Sequence, residues 1–229
     1  MAKRIILALL LVTLAAGGTF AQVQLSAGFG GNFAFSVDFI PSTYYDYDTT
    51  TYHYTTMKPG GGFYVFFDAD YVEADVGMLF GYRSGPVDAR IDVTYLTLGL
   101  YGKYPINFGG FTLSPMLGVQ FDVGLSAKYT VAYDYMGDVE FGEWYDRSYY
   151  PYSMADYLNR LWVKLGVSAD FNLSDTLYFR PSVLYGINFG TKHENDVRER
   201  FNVWAKEQGE TTFFFYNGLD IRVALGFRF

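Results

Sequence analysis

Residues 219–229 read Leu-Asp-Ile-Arg-Val-Ala-Leu-Gly-Phe-Arg-Phe, and this stretch decides the fold. Every odd-numbered position carries a large apolar side chain, whereas the even-numbered positions carry charged or small ones. Because successive side chains of a β-strand point to opposite faces, the alternation predicts a strand with one apolar face and one polar or small-residue face. Such a strand separates an apolar environment from a polar one.

The same period of two recurs along the chain and predicts eight strands. Each segment reaches the roughly 9–11 residues that a tilted membrane-spanning strand needs. In the segment 60–68 the alternation is less clear, because the large aromatic residues Tyr64 and Phe66 occupy the face that is polar or small in the other segments. The predicted strands are residues 23–39, 60–68, 71–82, 92–104, 111–127, 160–172, 176–189 and 213–229.

The connections between these segments alternate in length. The odd-numbered ones are long or medium (40–59, 83–91, 128–159 and 190–212) and the even-numbered ones are short (69–70, 105–110 and 173–175). Outer-membrane barrels combine short periplasmic turns with longer outer loops. The pattern predicts an all-β fold: a closed, antiparallel, up-and-down, eight-stranded transmembrane β-barrel with long outer loops and both termini periplasmic.

A soluble β-sandwich or lipocalin-like barrel is the alternative fold, with its apolar face turned inward. Two features disfavour it. The polar face of the strands is rich in Gly, Ser and Thr, where a soluble barrel would show Lys and Glu. Aromatic residues also mark both ends of the apolar face, as interfacial girdles do: Tyr104, Phe111, Phe171 and Phe229 at one end, and Tyr82, Tyr129, Phe189 and Phe213 at the other.

Two prolines, Pro115 and Pro181, fit poorly because they fall inside predicted strands. Proline removes a ladder hydrogen bond, and a closed barrel has no free edge to accommodate it. Both lie near predicted periplasmic ends, where we expect a bulge or local fraying.

The amino terminus has the layout of a secretory signal. Two basic residues in 1–4 precede an apolar run, 5–16, and a small-residue exit ending at Ala21. The run is shorter than the ~20 residues of a spanning helix, which disfavours the alternative of a membrane anchor. We expect residues 1–21 to be a cleaved signal peptide and 22–229 a single barrel domain. Removal of Lys3 and Arg4 would change the formal net charge from −7 to −9, which disfavours nucleic acid as a partner.

The carboxyl end carries a family resemblance. A terminal Phe229 with Phe227 two positions earlier resembles the assembly signal of bacterial outer-membrane proteins, although Ala224 stands where that signal usually has Gly. The whole chain is similar to the small eight-stranded OmpA/OmpX-type barrels, with no single member matched. The resemblance implies an outer-membrane location, with membrane lipid, lipopolysaccharide and the barrel assembly machinery as partners.

The inward face of such a barrel is charged. Five acids and five bases fall on it, which predicts a neutral network of ion pairs, because buried charges persist only when they are paired. A structural plug and a narrow polar conduit are both compatible with that network. The predicted lumen residues are Glu73, Asp75, Asp122, Asp170 and Asp220, with Lys103, Lys164, Arg180, Arg222 and Arg228.

The chain offers little for catalysis or metal binding. His53 and His193 are its only histidines, both in predicted outer loops. Ser42, Asp46 and Asp48 near His53 form only a weak acid–base signal, so we expect no enzyme activity. The acidic connection 128–159 lacks the ligand spacing of an EF-hand, so we expect no metal or cofactor.

The outer loops are rich in tyrosine, which supplies rigid amphipathic contact area at binding surfaces. Candidate binding residues for an unknown extracellular ligand are Tyr47, Tyr52, Tyr135, Trp144 and Tyr149. Alternatively, the strands continue beyond the membrane, which threonines 49–51, 55 and 56 favour. Residues 193–210 predict either a short amphipathic helix or a charged loop.

Three function classes follow. Loop composition favours a structural or adhesive surface protein. A narrow porin-like barrel, or one passing hydrophobic solutes through a lateral opening, is the alternative. A membrane enzyme is a third, which the scarcity of histidine disfavours.

Overall fold

The computed structural model describes residues 24–43, 51–84, 89–131, 139–140, 158–190 and 215–229. The predicted signal peptide and the segment 193–210 lie outside them. The strands are β1 (Leu25–Thr43), β2 (Thr51–Ala69), β3 (Val72–Ser84), β4 (Ala89–Lys103), β5 (Ile106–Asn107), β6 (Phe111–Val131), β7 (Val139–Glu140), β8 (Arg160–Asn172), β9 (Leu177–Asn188) and β10 (Phe215–Arg228). Two of these ten, β5 and β7, are two-residue pieces beside β6; the other eight correspond one to one with the predicted strands but differ from them in some of their bounds.

Antiparallel pairing runs once around the molecule and closes on itself. The order β4-β3-β2-β1-β10-β9-β8-β6 is completed by pairing of β4 with β6. Strands β1 and β10, far apart in sequence, pair from Ser26↔Arg228 to Phe39↔Phe215. Except for this closure, each long strand pairs with its neighbours in chain order, so the predicted closed up-and-down barrel of eight antiparallel strands is confirmed.

The barrel has two unlike ends. The turn end carries the connections 70–71, 104–110 and 173–176, together with Gln24 and Phe229. At the opposite end, which we call the loop end, β1 ends at Thr43 and β2 begins at Thr51. Three aromatic rings stack at the turn end: the centroids of Phe108 and Phe111 are 5.0 Å apart, and those of Phe111 and Phe171 are 5.5 Å apart.

The first hairpin is longer than predicted. Pairing of β1 with β2 continues to Thr43↔Thr51, so most of the expected connection 40–59 is strand. Tyrosine and threonine in this segment suit a pleated backbone, which explains why the β extension occurs.

Burial alternates along the strands, with the apolar side chains outside. On β2, Phe63, Val65 and Phe67 are exposed, whereas Tyr64 and Phe66 are buried in the interior. The outer surface is therefore broadly apolar and the lumen holds the charges, the reverse of a soluble protein. In a closed barrel of this kind every strand pairs its backbone groups with two neighbours, as a bilayer requires. Its apolar outer side chains can face the acyl chains of the lipid. The protein is thus a transmembrane barrel. No helix among the residues described is long and apolar enough to cross a membrane.

The two prolines are accommodated in different ways. Pro115 lies just beyond the end of β4, where its carbonyl oxygen accepts a hydrogen bond from the Tyr104 N–H at 3.1 Å. Pro181 pairs with Val223 of β10, but the β8–β9 ladder is interrupted beside it, between Ser168↔Ser182 and Phe171↔Phe179. Because Pro181 has no N–H to donate, the β8–β9 ladder is interrupted locally, and its register does not shift as it would at a bulge.

Candidate functional site

The lumen is the candidate functional site because it gathers most of the buried charges. Nine of the ten predicted lumen residues have buried side chains there, and two buried charges that the sequence analysis did not select join them. The buried charged residues are Asp68, Glu73, Asp75, Lys103, Asp122, Arg160, Lys164, Asp170, Arg180, Asp220 and Arg222.

Arg180 centres a cluster near the turn end, which we call the Arg180 cluster (Arg180, Asp68, Glu73, Asp170 and Lys103). The guanidinium forms a bidentate pair with Asp170, with Nε–Oδ1 at 2.5 Å and Nη2–Oδ2 at 2.7 Å. Its Nη1 donates to Glu73 at 2.5 Å and its Nη2 to Asp68 at 2.6 Å. Lys103 also donates to Asp68. Three carboxylates thus surround one arginine, with a lysine sharing the excess negative charge.

Arg222 centres a second cluster, further toward the loop end, which we call the Arg222 cluster (Arg222, Asp75, Gln120, Lys164 and Asp220). Nη1 of Arg222 donates to Asp75 Oδ2 at 2.6 Å, and Nη2 donates to Gln120 Oε1 at 2.8 Å. Asp220 Oδ2 lies 3.4 Å from Nη2 and also pairs with Lys164. Lys164 Nζ in turn donates to Gln120 Oε1 at 2.8 Å. Two cations and two carboxylates share one neutral amide, so this cluster balances in charge.

Buried aromatic rings fill the space around both arginines. Guanidinium carbons lie within the roughly 6 Å of ring centroids at which a cation–π attraction acts. The four contacts are Arg180 with Phe66 at 4.6 Å and Tyr178 at 5.0 Å, and Arg222 with Tyr64 at 5.1 Å and Tyr101 at 5.5 Å. The interior is therefore packed by rings and charges together.

Asp122 is held by neutral donors in addition to its charged surroundings. Its Oδ1 accepts from Gln120 Nε2 at 2.6 Å and its Oδ2 accepts from Trp162 Nε1 at 2.7 Å. Gln120 thereby connects Asp122 to the Arg222 cluster. The Trp162 ring also lies beneath Lys164, whose Nζ is 5.4 Å from its centroid.

Arg228 is the predicted lumen residue that does not join either cluster. It lies at the turn-end rim and is partly exposed. Nη1 donates to Asn172 Oδ1 at 2.7 Å, and the guanidinium lies 4.6 Å from the Tyr178 ring centroid. Its position so close to the end of β10 keeps it out of the central network.

Asp68 and Arg160 are the buried charges that the sequence analysis missed. The aromatic Tyr64 and Phe66 made the inward face of β2 look apolar, which hid the fact that Asp68 continues the same face. The available signal was the strand parity itself: residues 64, 66 and 68 alternate with the exposed 63, 65 and 67.

One of the five predicted loop-surface residues, Tyr52, belongs to the part of the chain that the structure describes. Tyr47, Tyr135, Trp144, Tyr149 and His193 lie outside the described residues. Tyr52 and His53 belong to β2, where their backbones pair with Ser42 and Pro41. Within the described part of the chain, no three His, Cys, Asp or Glu side chains are grouped to hold a metal ion.

The two residues of the proposed assembly signal, Phe227 and Phe229, lie where β10 pairs with β1 to close the barrel. Phe227 pairs with Ala27 of β1 and Leu177 of β9, with its side chain on the outer surface. Phe229 is 83% exposed, and its N–H donates to Leu25 O at 3.0 Å.

No family model and no curated protein match the sequence of this chain. Solved structures similar to it include Ail, the attachment invasion locus protein of Yersinia pestis, in complex with the heparin analogue sucrose octasulfate (11% identity, 90% of this chain and 99% of that chain, TM-score 0.40). Neisserial surface protein A is similar at 7% identity (89% and 97%, TM-score 0.45), and OprG from Pseudomonas aeruginosa at 13% (90% and 96%, TM-score 0.43). These likenesses concern the fold alone: the chain resembles small outer-membrane β-barrels and matches no single one of them.

Proposed function

We propose that this protein is a non-enzymatic outer-membrane barrel with a sealed lumen, acting at the outer cell surface in a structural or adhesive role. The observation that carries the proposal is the filled interior. An open pore would need a continuous polar path, and both arginine clusters lie across that path.

The bonds of the Arg180 cluster link opposite walls of the barrel. Arg180 projects from β9 and binds Glu73 on β3, four strands away around the ring in either direction. It also binds Asp68 on β2, three strands away. A solute passing along the axis would have to separate these pairs, and leaving a buried charge without its partner costs several kcal/mol.

The Arg222 cluster closes the lumen a second time. From β10, Arg222 binds Asp75 on β3 and Gln120 on β6, each three strands away in opposite directions around the ring. Two successive cross-links and four buried rings across the lumen support a sealed interior over a narrow porin-like conduit. The proposal therefore favours the plug over the conduit.

The loop end is the part of the molecule left to act on other molecules. We propose that it faces the cell exterior, with the turn end and both termini in the periplasm. The long β1–β2 hairpin supports a surface role, because its 19-residue strands exceed the ~9–11 residues needed to cross the membrane. A paired ribbon can present the tyrosine-rich first connection on a rigid base.

Conductance across a planar bilayer tests the sealed lumen. We expect the refolded protein, checked by its heat-dependent gel mobility, to give no discrete channels. The variant R180S/R222S removes both cross-links and serves as a positive control, in which we expect conductance steps to emerge. Reproducible wild-type channels that change on neutralising Asp122 or Arg180 would instead support the transport alternative.

Attachment to cultured epithelial cells tests the surface role. Bacteria that display the protein are compared with bacteria that display a variant in which Tyr47, Tyr52, Tyr135, Trp144 and Tyr149 are changed to serine. We expect attachment to fall several-fold in the variant at equal surface display. A matched variant with Thr49, Thr50 and Thr55 changed to alanine should attach like wild type. Equal attachment of all three strains and of cells lacking the protein would contradict an adhesive role toward these cells.

A further inference from the structure

The outer, lipid-facing surface of the barrel contains a groove that crosses β1 to β4 and reaches β6. Its volume is about 540 Å³, within the range of pockets that hold small ligands. Residues lining it include Phe33, Gly61, Phe80, Asp92, Thr94 and Ser126.

The groove follows one row of residues that are in register across five strands. Phe33 pairs with Gly61, Gly61 with Phe80, Phe80 with Thr94, and Thr94 with Ser126. Phe33 and Phe80 are each 48% exposed and flank Gly61, which has no side chain. Gly61 therefore forms the floor of the groove between two aromatic walls.

A β-bulge shapes the other side of the groove. The register of β4 with β6 shifts between Thr94 and Tyr95, so that Leu125 is an extra residue on β6. Leu125 and the next residue, Ser126, are consequently both exposed. Bulges re-aim side chains and are common beside functional sites. Here the bulge brings Ser126 next to Thr94, so that the polar lining residues Asp92, Thr94 and Ser126 lie on the β4 and β6 side of the groove, opposite the aromatic and glycine side.

We propose that this groove seats one acyl chain of a membrane lipid, with the Thr94 and Ser126 hydroxyls beside the polar part of that lipid. The groove is continuous with the apolar exterior that acyl chains already cover. Its small-residue floor allows a chain to approach the backbone closely, which gains van der Waals contact in an apolar solvent.

A second copy of the protein fits the groove less well. Interfaces between membrane segments use small residues to bring two backbones together. Phe33 and Phe80 flank Gly61 and keep a second barrel away from its backbone, whereas a single slender chain can lie between the rings.

Native mass spectrometry of the full chain with added phosphatidylethanolamine tests the proposal. Gly61→Leu fills the groove without disturbing the wall, because the nearest atom to an added Cβ is Asn32 O at 3.8 Å. Gly31→Leu is the matched control: it also faces outward, its nearest atom is Gly62 O at 3.8 Å, and it does not line the groove. We expect wild type and Gly31→Leu to retain one lipid, and Gly61→Leu to retain at least roughly threefold less.

Equal lipid retention by the two leucine variants would overturn the proposal. So would a two-chain mass in wild type that Gly61→Leu abolishes, because that result assigns the groove to a second copy. Heat-dependent gel mobility verifies folding of each variant. Gly61→Ala adds only one methyl group and should give intermediate retention, which keeps the test decisive if the leucine variant fails to fold.

Discussion

Replacing Arg180 with methionine removes the cation at the centre of the Arg180 cluster while keeping a side chain of comparable length. Asp170, Glu73 and Asp68 then remain buried together, with Lys103 as the cation left in that cluster. The Arg180 side chain is only 2% exposed, so water cannot compensate. Breaking a buried ion pair by removing one partner costs about 3–5 kcal/mol. Here Asp170 loses its arginine partner, while Asp68 and Glu73 are left to share Lys103. We therefore expect Arg180→Met to lower the free energy of unfolding by at least about 3 kcal/mol.

Urea unfolding of the refolded barrel in lipid vesicles, followed by tryptophan fluorescence and gel mobility, measures this loss. Arg228→Met is the control, since Arg228 lies at the rim, partly exposed, and should cost less than about 1 kcal/mol. Adding Asp170→Asn and Glu73→Gln to Arg180→Met should restore much of the loss, because the surplus charge is removed. A cost below about 1 kcal/mol for Arg180→Met alone would refute the view that its ion pairs stabilise the barrel.

Three further changes test other parts of the structure. Gly226→Val should prevent refolding to the heat-modifiable form, because its Cβ would overlap the Tyr178 ring, whereas Gly102→Val, with Leu117 O at 3.7 Å, should refold normally. Tyr178→Phe removes the buried 2.9 Å hydrogen bond to Ser26 and should cost about 1 kcal/mol in urea unfolding; no change would mean that this bond does not contribute. Phe229→Ser should change that stability by less than about 1 kcal/mol, because the side chain is 83% exposed, while lowering the amount assembled in cells several-fold on membrane fractionation; unchanged assembly would argue against the terminal signal.

The architecture was predictable because a membrane barrel imposes a strict period on its strands. The predicted segment 160–172 coincides with the strand Arg160–Asn172. The predicted segment 111–127 begins at the same residue as the strand Phe111–Val131, which continues further toward the loop end. The largest difference in strand bounds concerns the first hairpin, where the structure follows the alternative that threonines 49–51, 55 and 56 favoured, namely strands that continue beyond the membrane. Neither the alternation nor the bilayer thickness limits a strand outside the lipid, so strand ends there depend on side-chain preference and pairing.

The contents of the lumen were predictable by parity, but their partners were not. Parity places Arg180 and Glu73 inside, yet it cannot say that a β9 residue reaches β3 across the barrel. The buried rings of Tyr64 and Phe66 were missed for a related reason. An inward face was expected to be polar or small, whereas aromatic rings that stack on arginines are equally suited to a charged interior.

The pairing of β1 with β10 has a consequence for how the protein is made. The two strands that close the barrel come from opposite ends of the sequence, and Arg222 on β10 finds Asp75 on β3 only when the ring is complete. Until that last step, two strand edges remain unpaired and the central charges are separated from their partners. Closure in a wrong register would leave those buried charges without their partners. The ion-pair network therefore stabilises the barrel only when β1 and β10 pair in the correct register.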